Sequence, residues 1–222
     1  MTGYGQFCAV ARAQEALGGR WTLLVVRELL CGSRRFNDIR RGIPRISRTM
    51  LSERLQALVA IGAVVQAGTE YRLTPAGEEL IGLIGALGTW GQRWLPREAA
   101  GEDIDLGPLL VDMRRRVDAE ALPKHPLVLR FQLKGHAPQM LLLKPGEASL
   151  CTHNPGFPEL GVRGPLAALA GWWRGDLSFA EAQRAGLALD GPRALTRAFP
   201  RWFQRYLFAA VRPAAQVQGA RR

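Results

Sequence analysis

Cysteine is scarce: Cys8, Cys31 and Cys151 stand far apart in a chain of 222 residues. There is no C-x-x-C pair and no disulfide framework, which excludes a disulfide-stapled scaffold and suits a reducing, cytoplasmic setting. Histidine is equally thin. His125, His136 and His153 share no ligand spacing with any cysteine, so no metal is expected. Lysine is nearly absent, because only Lys124, Lys134 and Lys144 interrupt an otherwise all-arginine cation set. Long apolar runs are missing too. The stretches near Trp21–Val26 and Leu80–Gly91 fall short of the ~20 residues that a bilayer span needs. Arg12, Gln14 and Glu15 break up any apolar signal core, so no targeting segment and no membrane insertion are expected. No Gly-rich phosphate loop follows a strand, and no Ser/His/Asp set is recognisable. The expectation is a protein without a cofactor that is not an enzyme. Repeats and low-complexity segments are absent as well.

What is present is positive charge and enough apolar residues for a core. The 30 basic residues outnumber 19 acids, a net +11, and 47% of the chain is hydrophobic. Such an excess attracts polyanions, nucleic acid first and an anionic membrane second.

Taken in order, Cys8–Leu17 reads as a short helix ended by Gly18-Gly19. Trp21–Cys31 reads as a helix apolar on most sides, hence central. Phe36–Arg41 makes a further helix, which Ile43-Pro44 stops because a residue before proline is pushed out of helical geometry. Ser47 is placed to cap the next helix, where Leu51, Leu55, Leu58 and Ile61 form one apolar face. A turn of about 100° per residue puts Arg45, Thr49, Ser52 and Gln56 on the other face, with Arg48 at its flank. Ala63–Gln66 and Tyr71–Thr74 alternate as two strands joined by Ala67-Gly68-Thr69-Glu70. Helix, turn, helix and hairpin together make a winged helix. Pro75 then opens a helix with a stripe of Leu80, Ile84, Leu87, Trp90, Trp94 and Leu95, expected to pack against a second copy of the chain.

Pro96–Asp105 gathers proline, glycine and acids and reads as a boundary. Three parts are expected: a winged helix with its dimerisation helix over 1–98, an α+β domain over 99–212, and a loose tail over 213–222. Within the second part, 106–120 reads as a helix. Leu127, Leu129, Phe131 and Leu133 alternate with Val128, Arg130, Gln132 and Lys134 as a half-buried strand. Gln139–Lys144, Ala148–Thr152 and Leu187–Leu189 read as further strands, Leu166–Trp173 as a helix, and Ser178 with Glu181 as a capping box. Arg193–Val211 reads as a closing helix with Leu195, Phe199, Trp202, Phe203, Tyr206 and Leu207 inward.

Several of these residues together carry a resemblance. Trp21 in the central helix, Arg35-Phe36-Asn37, the Ile46-Ser47 turn with Met50-Leu51 and Arg54-Leu55, Tyr71-Leu73-Thr74-Gly77 and the Trp90-Gly91 pair resemble the HxlR-type winged-helix transcriptional regulators, relatives of MarR, over residues 8–95. The resemblance implies a cytoplasmic homodimer that binds double-stranded DNA. This chain departs from the family in its wing, which is shorter and holds Glu70, so base reading is expected from Arg45–Ser52. The second half resembles the sterol-carrier-protein fold, a lipid-binding α/β domain. That likeness rests on element order and on the segments Trp172–Asp176 and Gly186–Gly191.

Arg45, Ser47, Arg48, Thr49 and Ser52 lie at the end of the helix that would enter the major groove, where arginine can grip guanine and a hydroxyl can meet a base edge or a phosphate. Arg34, Arg35, Arg40 and Arg41 flank them and suit phosphates. Phe131, Leu133, Leu141, Leu143, Trp172, Trp173 and Phe179 could line a pocket for an apolar small molecule or lipid, or equally fill the core. Cys8 stands where some members of the family carry a redox-sensing thiol, with Arg12 one turn on; a buried structural cysteine is the plainer reading. Cys31 and Cys151 carry no cue beyond burial. The second domain is expected either to sense an apolar small molecule or to strengthen the dimer, and the alternatives to such a regulator are a lipid or acyl-group carrier with a vestigial winged helix, and a redox switch at Cys8.

Overall fold

Val25, Val26 and Leu29 are fully buried on helix α2 (Thr22–Leu30), and the first part of the chain is assembled around them. The structure is a computed structural model that describes residues 3–95, 104–151, 153–157 and 159–214. The chain divides into two units, Met1–Gly88 and Thr89–Arg222. The division falls inside a helix, ahead of the expected boundary segment, most of which lies outside the described residues, as does all of the tail beyond residue 214.

In the first unit α1 (Ala9–Leu17) precedes α2, then α3 (Phe36–Gly42) and α4 (Arg48–Ala60) follow. Ile39, Ile43 and Ile46 anchor the segment between α3 and α4 in the core that also holds Leu51, Leu55 and Leu58. Each such side chain contributes about 1.5–3 kcal/mol on burial. Ile61, expected on the same face, stands after the helix end and is 47% exposed. Strands β1 (Val64–Ala67) and β2 (Glu70–Leu73) pair antiparallel in the register Ala67↔Glu70. The wing loop is therefore Gly68-Thr69 alone, with Gly68 at φ +59, the conformation a two-residue hairpin asks of its first position. Glu70, expected in the loop, belongs to the strand. β2 also meets the start of α3: Arg35 bridges Glu70, and the Tyr71 amide donates to the Arg34 carbonyl at 2.8 Å.

Thr74 caps the short α5 (Pro75–Glu78), and α6 (Leu80–Trp94) follows. None of the 15 residues of α6 is buried. Leu80 and Ile84 touch the core of the first unit. Leu83, Leu87, Trp90 and Trp94 recur at intervals of four, three and four, which brings them onto one stripe. All four are exposed, the tryptophans at 54% and 57%.

The second unit holds α7 (Leu106–Arg115) and a five-stranded sheet of β3 (Leu127–Leu133), β4 (Gln139–Lys144), β5 (Glu147–Cys151), β6 (Glu159–Gly164) and β7 (Ala188–Asp190). Their order is β5-β4-β3-β6-β7, with β3 and β6 parallel and the other pairs antiparallel. Between β6 and β7 the chain forms α8 (Leu166–Arg174) and α9 (Phe179–Arg184), and α10 (Arg193–Ala198) follows β7. Leu129, Phe131, Leu141 and Val162 face one core together with residues of α7 and α8. At α9 the Ser178 hydroxyl accepts from the Glu181 amide and the Glu181 carboxylate accepts from the Ser178 amide. Hydrogen bonding by the Ser178 hydroxyl and then by the Ser178 amide holds the Glu181 carboxyl below the usual carboxylate range.

The second unit departs from its sequence pattern in four places. The helix expected over 106–120 ends at Arg115. β6 occupies residues that carry no strand expectation, held by parallel pairing to β3. The last strand begins at Ala188 rather than Leu187. The closing helix stops at Ala198, passes through a 3-10 turn over Phe199–Trp202 and goes no further as a helix. Pro200 explains this, since it has no amide to donate and its ring crowds the preceding turn. Leu207, expected inward, is exposed.

Candidate nucleic-acid interface

The turn between α3 and α4 is built so that its apolar residues point in and its cations point out. Ile43 and Ile46 are buried, while Pro44, Arg45, Ser47, Arg48 and Thr49 are exposed and Ser52 is half-buried. The Ser47 hydroxyl accepts from the Met50 amide at 3.1 Å. One of its lone pairs therefore caps α4, and its O–H proton remains for a ligand oxygen. Arg48 is exposed, and no described residue bonds its guanidinium. The free amides of the first turn and this cation favour an anion at the same end of α4.

The flanking arginines are less equal than their spacing implies. Arg34 donates to the Leu29 carbonyl at 3.4 Å. Arg41 is bonded to Asp38 at 2.8 Å, and Arg40 is half-buried with its Nε enclosed. Glu70 sits among Arg72, Arg35 and Arg34. The Arg72 hydrogen bond, at 2.9 Å, and then the charges of Arg72, Arg35 and Arg34 hold its carboxyl below the usual carboxylate range. The wing thus places a negative charge beside the arginines that precede α3, and α4 is left as the more positive end.

One support of this turn was not recognisable in the sequence. Glu28, on α2, has its side chain 1% exposed and accepts from Arg27 at 2.7 Å. Arg27 also donates to the Gly42 carbonyl at 3.2 Å. A side chain at position 42 would meet the Glu28 carboxylate at 1.9 Å, so the end of α3 lies directly on a buried carboxylate.

Elsewhere the expected residues are placed as follows. Cys8 is exposed and stands just before α1, and Cys31 is exposed as well, so neither is the buried structural cysteine of the plainer reading. The Ala11 and Val10 amides hold the Cys8 thiol below its ordinary value, though neither makes a full capping hydrogen bond to it. Phe131, Leu133, Leu141, Leu143, Trp172 and Trp173 are buried in the second core, with Phe179 packed against it. Trp172 touches the rings of Phe179 and Phe199 at centroid distances of 5.4 and 5.5 Å, and the Trp173 indole donates to Asp112 at 2.7 Å. These side chains fill space against one another. Among the described residues no three of His, Cys, Asp and Glu come together as metal ligands would, and no helix is long and apolar enough to cross a membrane.

Known proteins share the first part of this chain. The HxlR-like helix-turn-helix family model matches residues 16–99. An HTH-type transcriptional regulator of Mycobacterium tuberculosis is 43% identical over 96 residues, 40% of this chain and 60% of that protein. The chain thus spans 60% of the length of its mycobacterial relatives. YvaP of Bacillus subtilis, also named an HTH-type transcriptional regulator, is 35% identical over 91 residues, 38% of this chain and 84% of YvaP. YtfH of Escherichia coli, named likewise, is 34% identical over 107 residues, 45% of this chain and 85% of YtfH. Among solved structures, quinone-bound YodB from Bacillus subtilis is 34% identical, covering 37% of this chain and 93% of YodB at a TM-score of 0.35. Relatives of more than 30% identity, matched over most of their own length by the helix-turn-helix segment, place the chain plainly: it belongs to the HxlR-like helix-turn-helix family.

Proposed function

We propose that the chain is a transcription regulator that binds operator DNA as a homodimer, with the N-terminal end of α4 in the major groove. The observation that carries this reading is the exposed Arg48 and Thr49 on a helix whose opposite face is locked into the core, with no described residue bonding the Arg48 guanidinium and with exposed Arg45 and Ser47 in the turn just before it. The names of the relatives as HTH-type transcriptional regulators support it. Arg45, Ser47, Arg48, Thr49 and Ser52 are the base-reading set. Arg34 and Arg35 are phosphate contacts moderated by Glu70. The partner surface is the stripe of Leu83, Leu87, Trp90 and Trp94, with the exposed Tyr4, Phe7 and Val10 near α1 as a second apolar patch. Apolar exposure of this kind in a water-soluble chain marks an interface.

Footprinting on the upstream region of the chain's own gene tests the reading, because it reports site, symmetry and spacing together. Affinity should fall steeply with salt as bound phosphates release their counterions. A flat salt profile removes DNA binding. Arg48→Ala should weaken specific binding by ~1–3 kcal/mol, since the guanidinium no longer bonds a base edge. An equal weakening on unrelated DNA would assign Arg48 to a phosphate instead.

The second unit is read as a controlling domain, sterol-carrier-like in its helices and mixed sheet. An apolar ligand would enter by parting the rings around Trp172, and it must favour one spacing of the two reading helices to shift anything. A second reading, control through Cys8, is favoured by the exposure and lowered pKa of that thiol. Thiolate is the reactive form, so Cys8 is expected to alkylate faster at neutral pH than a free cysteine, with operator affinity changing in step. Complete alkylation at unchanged affinity would sink that reading.

A further inference from the structure

The positive charge of this chain does not peak in the unit that carries α4. Residues 1–88 hold 11 cations and 7 acids, net +4, while residues 89–222 hold 19 and 12, net +7. Within the second unit many cations are matched. Arg130 pairs with Glu159, Arg163 with Asp190, Arg174 with Asp176, Arg184 with Glu181 and Lys144 with Glu147. After Asp190 the pattern changes. No acid occurs again in the sequence, while arginine recurs at 221 and 222 and, among the described residues, at 193, 197, 201, 205 and 212. All five are exposed, and no described residue pairs with their guanidiniums.

The backbone carries the first three of these arginines on one helical segment, and Arg205 follows after it. Arg193 and Arg197 lie one turn apart on α10, and the 3-10 turn carries Arg201 onward along the same helical path. At ~1.5 Å of rise per residue the first three span roughly 12 Å. The other side of the segment is fixed. Phe199, Trp202 and Phe203 are buried, with Phe199 in ring contact with Trp172 at 5.5 Å and Phe203 at 5.5 Å. The Gln204 amide donates to the Arg116 carbonyl at 2.7 Å and the Asp118 amide to the Trp202 carbonyl at 2.9 Å. The segment is held by an aromatic core, and among the described residues no acid pairs with its arginines.

We infer that Arg193, Arg197, Arg201 and Arg205 grip the phosphate backbone of the duplex at a second, sequence-independent site; this rests on the DNA-binding reading. Guanidinium forks match phosphate oxygens, and a row of unpaired charges meets a backbone carrying one charge per ~3.4 Å of each strand. An anionic membrane is the poorer occupant. A membrane-surface helix must sink an apolar face into the lipid, and the apolar face of this segment is committed to its own core, leaving only Leu207 outside.

The test is the full-length chain carrying Arg193→Gln, Arg197→Gln, Arg201→Gln and Arg205→Gln. Binding is measured against salt on the chain's own upstream DNA and on an unrelated duplex. The slope of log affinity against log salt should flatten by ~0.9 for each phosphate no longer neutralised, roughly 2–4 per chain and twice that for a homodimer. Affinity should fall by the same factor on both duplexes, the footprint should keep its register, and the Arg→Lys version should restore the slope. An unchanged slope, with the wild type salt-dependent, overturns the second site and leaves the regulator reading intact. Loss of binding to phosphatidylserine vesicles with the DNA slope unchanged overturns it in favour of a membrane. A wild type that binds neither duplex overturns both readings. An unchanged melting temperature for the variant separates charge from folding.

Discussion

The Gly42→Ala chain is expected to be strongly destabilised, and to lose DNA affinity with its stability. The new methyl group would lie 1.9 Å from Glu28 Oε2. That carboxylate cannot swing into solvent, because its side chain is 1% exposed and holds Arg27 at 2.7 Å. Forcing one extra carbon into a packed site costs about 1–3 kcal/mol. If the carboxylate is driven off Arg27, an uncompensated buried charge raises the cost toward ~3–5 kcal/mol. For a domain of this size each kcal/mol lowers the melting temperature by roughly 4–8 °C, so thermal unfolding followed by circular dichroism reads the effect easily. The double variant Glu28→Ala/Gly42→Ala separates this account from generic helix damage. Removing the carboxylate makes room for the methyl group, so the double variant should be less destabilised than the sum of the singles. Strict additivity would show that the clash is not the cause. DNA affinity enters because Gly42 ends α3 and leads into the turn before α4.

Leu87→Glu is the second substitution expected to act strongly, with the opposite signature under the homodimer reading: the fold survives and the pairing of two copies does not. Leu87 is 48% exposed at the middle of the stripe formed with Leu83, Trp90 and Trp94. In a two-fold interface each substitution counts twice, and it puts two carboxylates where two apolar side chains would be buried, each worth about 1.5–3 kcal/mol. Sedimentation should show a monomer, and circular dichroism an unchanged folded spectrum, with the melting temperature lowered only by the loss of the partner. Operator affinity should drop by roughly 10²-fold or more, because two linked half-sites become one. A variant that stays dimeric would move the partner surface away from α6.

The first unit was largely legible because its signals are local. Ser47 announces a helix start, and Leu51, Leu55 and Leu58 announce its buried face. The stripe on α6 was legible in kind and blurred in detail. Leu80 and Ile84 serve the core of their own unit, and Leu83 takes their place on the exposed side. What was illegible depends on distant partners. The Glu159–Gly164 segment carries two glycines and two charges, and it becomes a strand through its parallel register with Val128–Leu133. Glu70 looks like a turn residue until Arg35 is seen across from it. Glu28 looks like surface until Arg27 and Gly42 close over it. The aromatic periodicity after Arg193 suggests a long helix, and Pro200 outweighs it. Pocket and core use the same residue types, so Trp172 and Phe179 read either way until their rings are seen touching.

The hairpin has a further consequence, one of information. With a two-residue loop, and with Tyr71 bonded back to Arg34, the wing is a strut bracing α3. Under the regulator reading, each copy then inspects only the few base pairs that one helix end can touch. Short words recur by chance throughout a genome that offers ~10⁶–10⁹ competing sites. The distance between two such words, measured by a rigid pair, becomes the main means of telling a true operator from the background.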